Sequence, residues 1–321
     1  MTSSHDRVHL RLPATSANLG PAFDTAAVAL NLHLEVIAEP AETFSISAQG
    51  CDAQACGKVE GNLILETYRR ILVENNRPVQ PLHLDVSNGI PLGMGCGSSA
   101  AARLAGIALA VQFGELGWQE QEILSTATFL EGHPDNVTAC WLGGMTVSAV
   151  ATAPKDAHGN CSATPSPVQV ARIDVPGHWR AVVVLPHAAI RTEESRSVLP
   201  EHYSRADVVA NLQHSTLLVA AFASGRNEWL QAAMFDRLHQ PYRAAICPLL
   251  GRLQPLVGVA AGVLGVALSG AGPGVLLIVE HEQSPLELQG AVRRVLNDFG
   301  DAEIIQCGFE SRGAGQNTSP S

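Results

Sequence analysis

The chain has 321 residues, 46% of them hydrophobic and 16% charged, which is enough apolar side chain for a sizeable core and excludes global disorder. Against a soft prior of ~150 residues per domain, that length fits two domains or one large one. With 20 Lys+Arg against 30 Asp+Glu the formal charge is −10 and no basic run offsets it, so neither nucleic acid nor a membrane surface is expected as a partner.

Lys58 and Lys155 are the only lysines, so nearly all positive charge sits on arginine, the forked donor suited to carboxylates and phosphates. The seven cysteines (Cys51, Cys56, Cys96, Cys140, Cys161, Cys247, Cys307) are scattered and form no C-x-x-C pair, which supports neither a zinc ribbon nor a thioredoxin-like site. Met1 to Arg11 is polar, without the apolar stretch of a signal peptide, and reduced thiols in a cytoplasmic protein are the simplest expectation.

Along the chain, Val8 to Leu12 alternates like a strand and Pro13 to Phe23 reads as a small-residue loop. Val28 to Ile37 is a strand with Leu30, Leu32, Leu34 and Val36 on one face. Asn62 to Leu72 has helical spacing, and Leu82, Leu84 and Val86 alternate. Ser98 to Val111 is an alanine-rich helix opened by serines, Gln119 to Leu130 an amphipathic helix, and Met145 to Val150 a strand. Between Ala151 and Val168 the composition turns to Ala, Pro, Ser and His, the mark of a connector near a domain boundary or of a long hairpin loop. Trp179 to Leu185 reads as a buried strand, and Arg205 to Ala223 and Asn227 to Met234 as helices. Leu256 to Val279 carries no charge and is long enough to span a bilayer, but Gly270, Gly272, Pro273 and Gly274 break it. A buried helix or loop leading through that glycine turn into a strand at Val275–Val279 is expected instead. Ala302 to Phe309 is the last strand, and the polar, glycine-rich Ser311 to Ser321 should fray. Strands and helices mix without strict alternation, which favours α+β over a doubly wound sheet.

The most informative stretch is Pro91-Leu92-Gly93-Met94-Gly95-Cys96-Gly97-Ser98-Ser99-Ala100. Glycine at every second position lets main-chain N–H groups converge, and the helix that follows adds unpaired N–H groups and the positive end of its dipole. Such a loop suits a polyphosphate. There is no G-K-[ST] lysine, so it is not a Walker P-loop, and the residues ~20 positions on, Gln112 to Glu115, are still inside or just past the helix, where no acid could take a ribose as a Rossmann fingerprint requires. Cation charge must come from elsewhere, and a magnesium ion on a serine hydroxyl and a carboxylate would supply it.

These residues resemble the GHMP kinase superfamily, whose loop P-x-x-x-G-x-G-S-S-A-A is matched from Pro91 to Ala101. Two further motifs of that superfamily stand in order, Pro13-Ala-Thr-Ser-Ala-Asn-Leu-Gly-Pro-Ala-Phe-Asp24 and Leu268-Ser-Gly-Ala-Gly-Pro-Gly274. Within it the first motif is similar to the homoserine kinase family, P-A-S-S-A-N-L-G-x-G-F-D; mevalonate kinase-like members carry a lysine where Thr15 and Ser16 stand here. Glu131-Gly-His-Pro-Asp-Asn-Val137, Thr192-Glu-Glu-Ser-Arg196 and His239-Gln-Pro-Tyr-Arg243 strengthen the likeness. Ala22, Cys96 and Gly274 depart from the usual glycine, leucine and threonine or serine.

The resemblance implies an α+β, two-domain GHMP kinase-like fold. Its parts would be an N-terminal ribosomal-protein-S5-domain-2-like, nucleotide-binding domain (6–168), a C-terminal ferredoxin-like domain (169–309) and a disordered tail (310–321), with the site in the cleft between domains. It further implies a homodimer using ATP and Mg2+ to phosphorylate the L-homoserine hydroxyl to O-phospho-L-homoserine, in threonine biosynthesis. Another small alcohol as acceptor, or a non-catalytic nucleotide-binding paralogue, are the rival readings. The ATP phosphates fall to Pro91 through Ala101, with Ala100 at the helix start and Asn62 a further nucleotide contact. Glu131 with Ser98 or Ser99 would hold magnesium. Asp24, helped by Asn18, suits an ammonium, while Arg196 and Arg243 suit a carboxylate through paired donors. Turn or cap roles for Asp24 and Asn136, and surface pairing of the arginines with Glu193, Glu194 or Asp236, are the plainer alternatives. Asn136 would orient the reacting hydroxyl, His133 line the pocket, and Gly270 and Gly272 approach from the second domain.

Phosphoryl transfer needs alignment and charge neutralisation more than covalent help. The family is thought to manage without a carboxylate base, and Asp135 is the one nearby acid that could serve as one. The spacing of Glu131, His133 and Asp135 fits neither H-E-x-x-H nor a facial triad. A thiol at Cys96, beside a helix start, is expected to have a lowered pKa and to be shielded by nucleotide, unless it merely packs in place of the leucine.

Overall fold

The computed structural model describes residues 7–151, 164–187, 192–260, 262–297, 299, 302–317 and 319–320. The N-terminal half runs β1 (Val8–Ala17), β2 (Ala26–Pro40), β3 (Ser45–Gly50), α1 (Ala53–Cys56), α2 (Leu63–Glu74), β4 (Leu82–Asn88), α3 (Ser98–Phe113), α4 (Glu120–Glu131), α5 (Asp135–Leu142), β5 (Met145–Val150) and β6 (Val168–Ile173). The C-terminal half runs β7 (Trp179–Pro186), α6 (Thr192–Ser197), α7 (Arg205–Ser224), α8 (Asn227–Ala233), α9 (Gln240–Arg243), α10 (Pro248–Leu253), β8 (Val263–Leu268), β9 (Val275–Glu280), α11 (Pro285–Val295) and β10 (Ala302–Cys307). The chain then returns to the first half as α12 (Ala314–Asn317) and β11 (Ser319–Pro320).

The first sheet is mixed, in the order β11-β1-β2-β4-β3 with β5 on β2 and β6 on β5; β3 and β4 are its parallel pair. The second is antiparallel, in the order β10-β7-β9-β8. Together they give the α+β, two-part architecture expected. At the centre of the first half lies α3, whose residues from Ala100 to Ala110 are mostly buried. Such a helix, apolar nearly all round, has no solvent face to keep polar. Gly106 admits α2 closely, since a Cβ there would lie 2.7 Å from Thr67 Cβ.

Four expectations change. Pro13 does not end β1: it lacks an N–H, the register against β2 shifts between Pro13 and Ala14, and pairing resumes through Ala17, so Thr15 and Ser16 lie on a strand. The uncharged stretch from Leu256 holds a strand, β8, whose six residues are all buried and which pairs with β9; no helix among the described residues is long and apolar enough to cross a membrane. The boundary at 168/169 falls inside the first sheet, because β6 pairs with β5 from Val150↔Val168 to Met145↔Ile173. Ala151–Val168 is thus a hairpin connection, of which residues 152–163, with Cys161, lie outside the described residues.

The fourth concerns the tail, whose described part does not fray. Gly144 N–H donates to Glu310 O at 2.7 Å and Arg172 Nη2 to Ser311 O at 2.7 Å, while Ala314 is buried. A Cβ at Gly313 would run into the Trp141 carbonyl, and one at Gly315 would lie 2.6 Å from Trp141 Nε1. The glycines that look like disorder in the sequence are what let the chain lie flat on α5. Deleting residues 311–321 should lower Tm by roughly 5 °C or more, read by calorimetry or far-UV circular dichroism.

Candidate active site

The three glycine-rich motifs meet main chain to main chain. In the phosphate loop Gly93, Gly95 and Gly97 have φ of 69°, 79° and 71°, in the left-handed region that side chains resist. A Cβ on Gly95 would strike the Ser269 carbonyl oxygen, and one on Gly97 the Thr15 hydroxyl. Ser269 Oγ donates to Gly95 O at 2.7 Å, and Gly274 N–H to Met94 O at 3.3 Å. From the first motif, Asn18 Nδ2 donates to Gly270 O at 2.8 Å while its Oδ1 accepts the Asp24 N–H at 2.9 Å, holding Asp24 at φ 54°. No side chain caps α3 at Gly97, so the first-turn N–H groups behind Ser98 are left for an anion.

These loops floor a cleft lined by Asn18, Asp24, Gly93, Gly95, Cys96, Gly97, Ser98, Ser99, Glu131, His133, Asp135, Asn136, Arg196, Arg243 and Gly270–Gly272. All the residues singled out for acceptor and metal are therefore brought together. Pro91, Leu92, Met94, Ala100 and Ala101 do not line it; Ala100 and Ala101 face the core from α3. Asn62 lies apart, on a neighbouring cavity that shares Ser98 and Ser99 and is walled by Ile64, Val86, Ile90 and Ala102. Its amide caps α2, accepting from Ile64 and Leu65 N–H at 3.1 and 3.3 Å and donating to Cys56 O at 3.1 Å.

At one end of the cleft, Glu131 Oε2 accepts from Ser99 Oγ at 2.9 Å and from Arg103 Nε at 2.8 Å. A hydroxyl and a carboxylate oxygen side by side are the hard donors magnesium prefers. Arg103, one helical turn beyond Ser99, was not singled out from the sequence, although i,i+4 spacing could have found it.

At the other end, Arg196 and Asp24 form a two-pronged ion pair, Nη1–Oδ2 3.0 Å and Nη2–Oδ1 2.6 Å, in place of the surface pairing weighed as an alternative. Arg243 is 1% exposed and bonds no carboxylate among the described residues: Nε donates to Ser195 O at 3.1 Å and Nη1 to His239 Nδ1 at 3.0 Å. His239 Nε2 in turn donates to Gly20 O at 2.7 Å, which fixes its tautomer, and burial pushes its pKa down to about 4, so it is neutral. Burial, and then Arg196, lower the Arg243 pKa too, the sign of a cation short of anions. Phe23 lies under both guanidinium groups, 5.5 Å from Arg196 Cζ and 5.3 Å from Arg243 Cζ.

Between the ends stand His133, Asp135 and Asn136. Burial works against charge on His133, but its 2.6 Å hydrogen bond to Asp135 and the charges of Asp135, Asp24 and Glu131 raise its pKa overall. Asp135 Oδ1 also accepts the Asn136 N–H at 2.7 Å. Ligand atoms of Asp24, His133 and Asp135 lie within 4.8 Å of one another, yet each is already bonded to Arg196 or within the trio.

The family model described as GHMP kinases N terminal domain matches residues 62–144, and the GHMP kinases C terminal model matches 218–298. A homoserine kinase of Solibacter usitatus is 40% identical over 314 residues, covering 98% of both chains, and one of Synechococcus is 38% identical over 280 residues, covering 87% of both. The chain belongs to the homoserine kinase family. In this GHMP kinase family, ATP is the phosphoryl donor. Among solved structures, a homoserine kinase from Cytophaga hutchinsonii superposes with TM-score 0.77 at 22% identity, over 98% of each chain. A putative one from Listeria monocytogenes gives 0.72 at 27% identity, over 95% of this chain and 97% of that one.

One departure from the homoserine kinase pattern is corrected by the fold. Cys96 is 1% exposed and burial pushes its pKa up to about 12, so the helix start does not activate it. It packs like the leucine it replaces, and its carbonyl accepts the Thr15 N–H at 3.1 Å. Gly95→Val should lower phosphoryl-transfer turnover by more than ~100-fold and weaken nucleotide binding in calorimetric titration, because the collision with Ser269 separates the loops that form the cradle.

Proposed function

We propose that this chain is a kinase transferring the γ-phosphoryl group of ATP to the hydroxyl of L-homoserine, giving O-phospho-L-homoserine and ADP, and that it acts as the homodimer the family resemblance implies. The observation that carries this reading is one cleft with a phosphate cradle at one end and a carboxylate–guanidinium set at the other. Full-length relationship to homoserine kinases supports the choice of acceptor.

The acceptor is a zwitterion. Its ammonium replaces Arg196 on one side of Asp24, and its carboxylate takes the donors of Arg196 and Arg243, so one internal ion pair gives way to two. Arg243 then gains the anion that its buried site lacks. This docking sets the side-chain hydroxyl toward Asn136 and the loop. The adenine fits the apolar cavity by Ile64, Val86 and Ile90, which opens onto the same serines. Ser99 and Glu131 would hold a magnesium ion, which when bound neutralises phosphate charge in place of a loop lysine.

The acceptor oxygen attacks the γ-phosphorus as the bond to ADP breaks. Its proton passes to a γ-phosphate oxygen, because Asp135 is 1% exposed and its Oδ1 is held by His133 and the Asn136 N–H. Asp135→Asn should therefore lose less than ~1,000-fold in kcat with nucleotide binding intact; a larger loss in steady-state assays would assign Asp135 as base.

ADP release measured with L-homoserine, mevalonate, L-serine and no acceptor tests the whole reading. Turnover is expected with L-homoserine and at background with the others. Turnover with mevalonate alone would make the chain a kinase of another alcohol, and nucleotide binding without turnover would make it a silent paralogue.

A further inference from the structure

We infer that Thr15 is a positioning residue: its hydroxyl holds the Asn136 amide with the Nδ2 end toward the cleft, while its main-chain N–H ties Thr15 to the phosphate loop. What the amide does rests on the homoserine kinase reading above; how it is held does not. Thr15 is fully buried on β1 and Asn136 is 8% exposed in the first turn of α5. Their side chains meet across 121 residues of sequence, Thr15 Oγ1 donating to Asn136 Oδ1 at 2.6 Å. That spacing is typical of O–H···O and short for N–H···O, so the oxygen end of the amide faces Thr15. A threonine hydroxyl has one proton to give, and Oδ1 is its one partner among the described residues.

Since Asn136 lines the cleft, its two Nδ2 protons are left to point there. An amide so turned donates to the acceptor oxygen and leaves that oxygen's own proton free to turn toward phosphate. Turned the other way, Oδ1 would draw the proton off. Shape alone does not choose between the two, because the ends of an amide are nearly isosteric; the hydroxyl does.

The hydroxyl is itself held. Thr15 N–H donates to Cys96 O at 3.1 Å, and Gly97 passes so close that a Cβ there would strike Thr15 Oγ1 and lie 3.2 Å from Asn136 Oδ1. Branching at Cβ further restricts the threonine rotamer. One threonine thus joins the strand, the phosphate loop through its main-chain N–H, and the acceptor-facing amide through its hydroxyl.

Thr15→Val removes the hydroxyl at nearly constant shape, and Thr15→Ser keeps it. T15V should lower kcat with L-homoserine ~10- to 100-fold with KM for ATP within about twofold, and T15S should stay within about threefold of the parent. In an Asn136→Ala background T15V should add less than about twofold, because Thr15 acts through Asn136. Unchanged kcat in T15V, equal damage from T15S, or losses that multiply in the double variant would each overturn the inference. A crystal structure of T15V decides it without activity: the Asn136 amide should be turned or spread over rotamers, and an amide in its parental place would overturn it. If the parent shows no turnover on L-homoserine, the functional reading falls, and that crystal structure still settles the role of Thr15.

Discussion

The site depends on three glycine turns from distant parts of the chain packing backbone against backbone. Ser269 and Gly95 are in contact through carbonyl and Cα, with no side chain between them, and the Ser269 hydroxyl bonds the Gly95 carbonyl. Each loop limits the residues the others can hold. Gly95 is required by the third motif and Gly97 by Thr15 of the first, so the alternating glycines answer to two different neighbours. A phosphate cradle built from main chain needs that support, because N–H groups act on an anion only if they are held where it will sit.

The acceptor end obeys a different constraint. A buried guanidinium without a carboxylate is costly, and Arg243 is tolerated because carbonyl oxygens and a neutral imidazole take its protons. Asp236 builds the turn that presents that imidazole, accepting the N–H groups of Leu238, His239 and Gln240 at 2.9, 3.0 and 2.6 Å. The positive site thus keeps its charge for an incoming anion, while the negative charge nearby, Asp24, is already matched by Arg196. An amino acid that brings both charges is the ligand whose binding leaves neither set unpaired.

The sequence made most of the site legible because the chemistry lies in local patterns. The glycine alternation, the serines opening α3, and Asp24, Glu131, Asn136 and the two arginines all meet in the cleft. What it concealed depends on tertiary partners. Pro13 reads as a strand end, yet a register shift absorbs its missing N–H. The glycines beyond Leu256 read as breaks in a helix, yet β8 lies between them and is paired and buried along its length. Cys96 looks electrostatically activated from its position, but desolvation outweighs the helix dipole. Phe23 and Thr15 act through contacts more than a hundred residues away, for which no spacing rule exists.

The tail gives the same lesson from outside the motifs. Helix α5 has eight residues, too few to hold its shape alone, and its first turn carries Asp135 and Asn136. Its far end is fixed by chain that returns after the second sheet: Gly313 under the Trp141 carbonyl, Ala314 in the core, and Glu310 between the Ala29 and Gly144 backbones. Glu310 also reaches His33 Nε2 at 3.0 Å and so ties the returning segment to β2. Helix α5 is therefore held at both ends, at Asn136 by a threonine of the first strand and at Trp141 by the returning segment that carries Gly313 and Gly315.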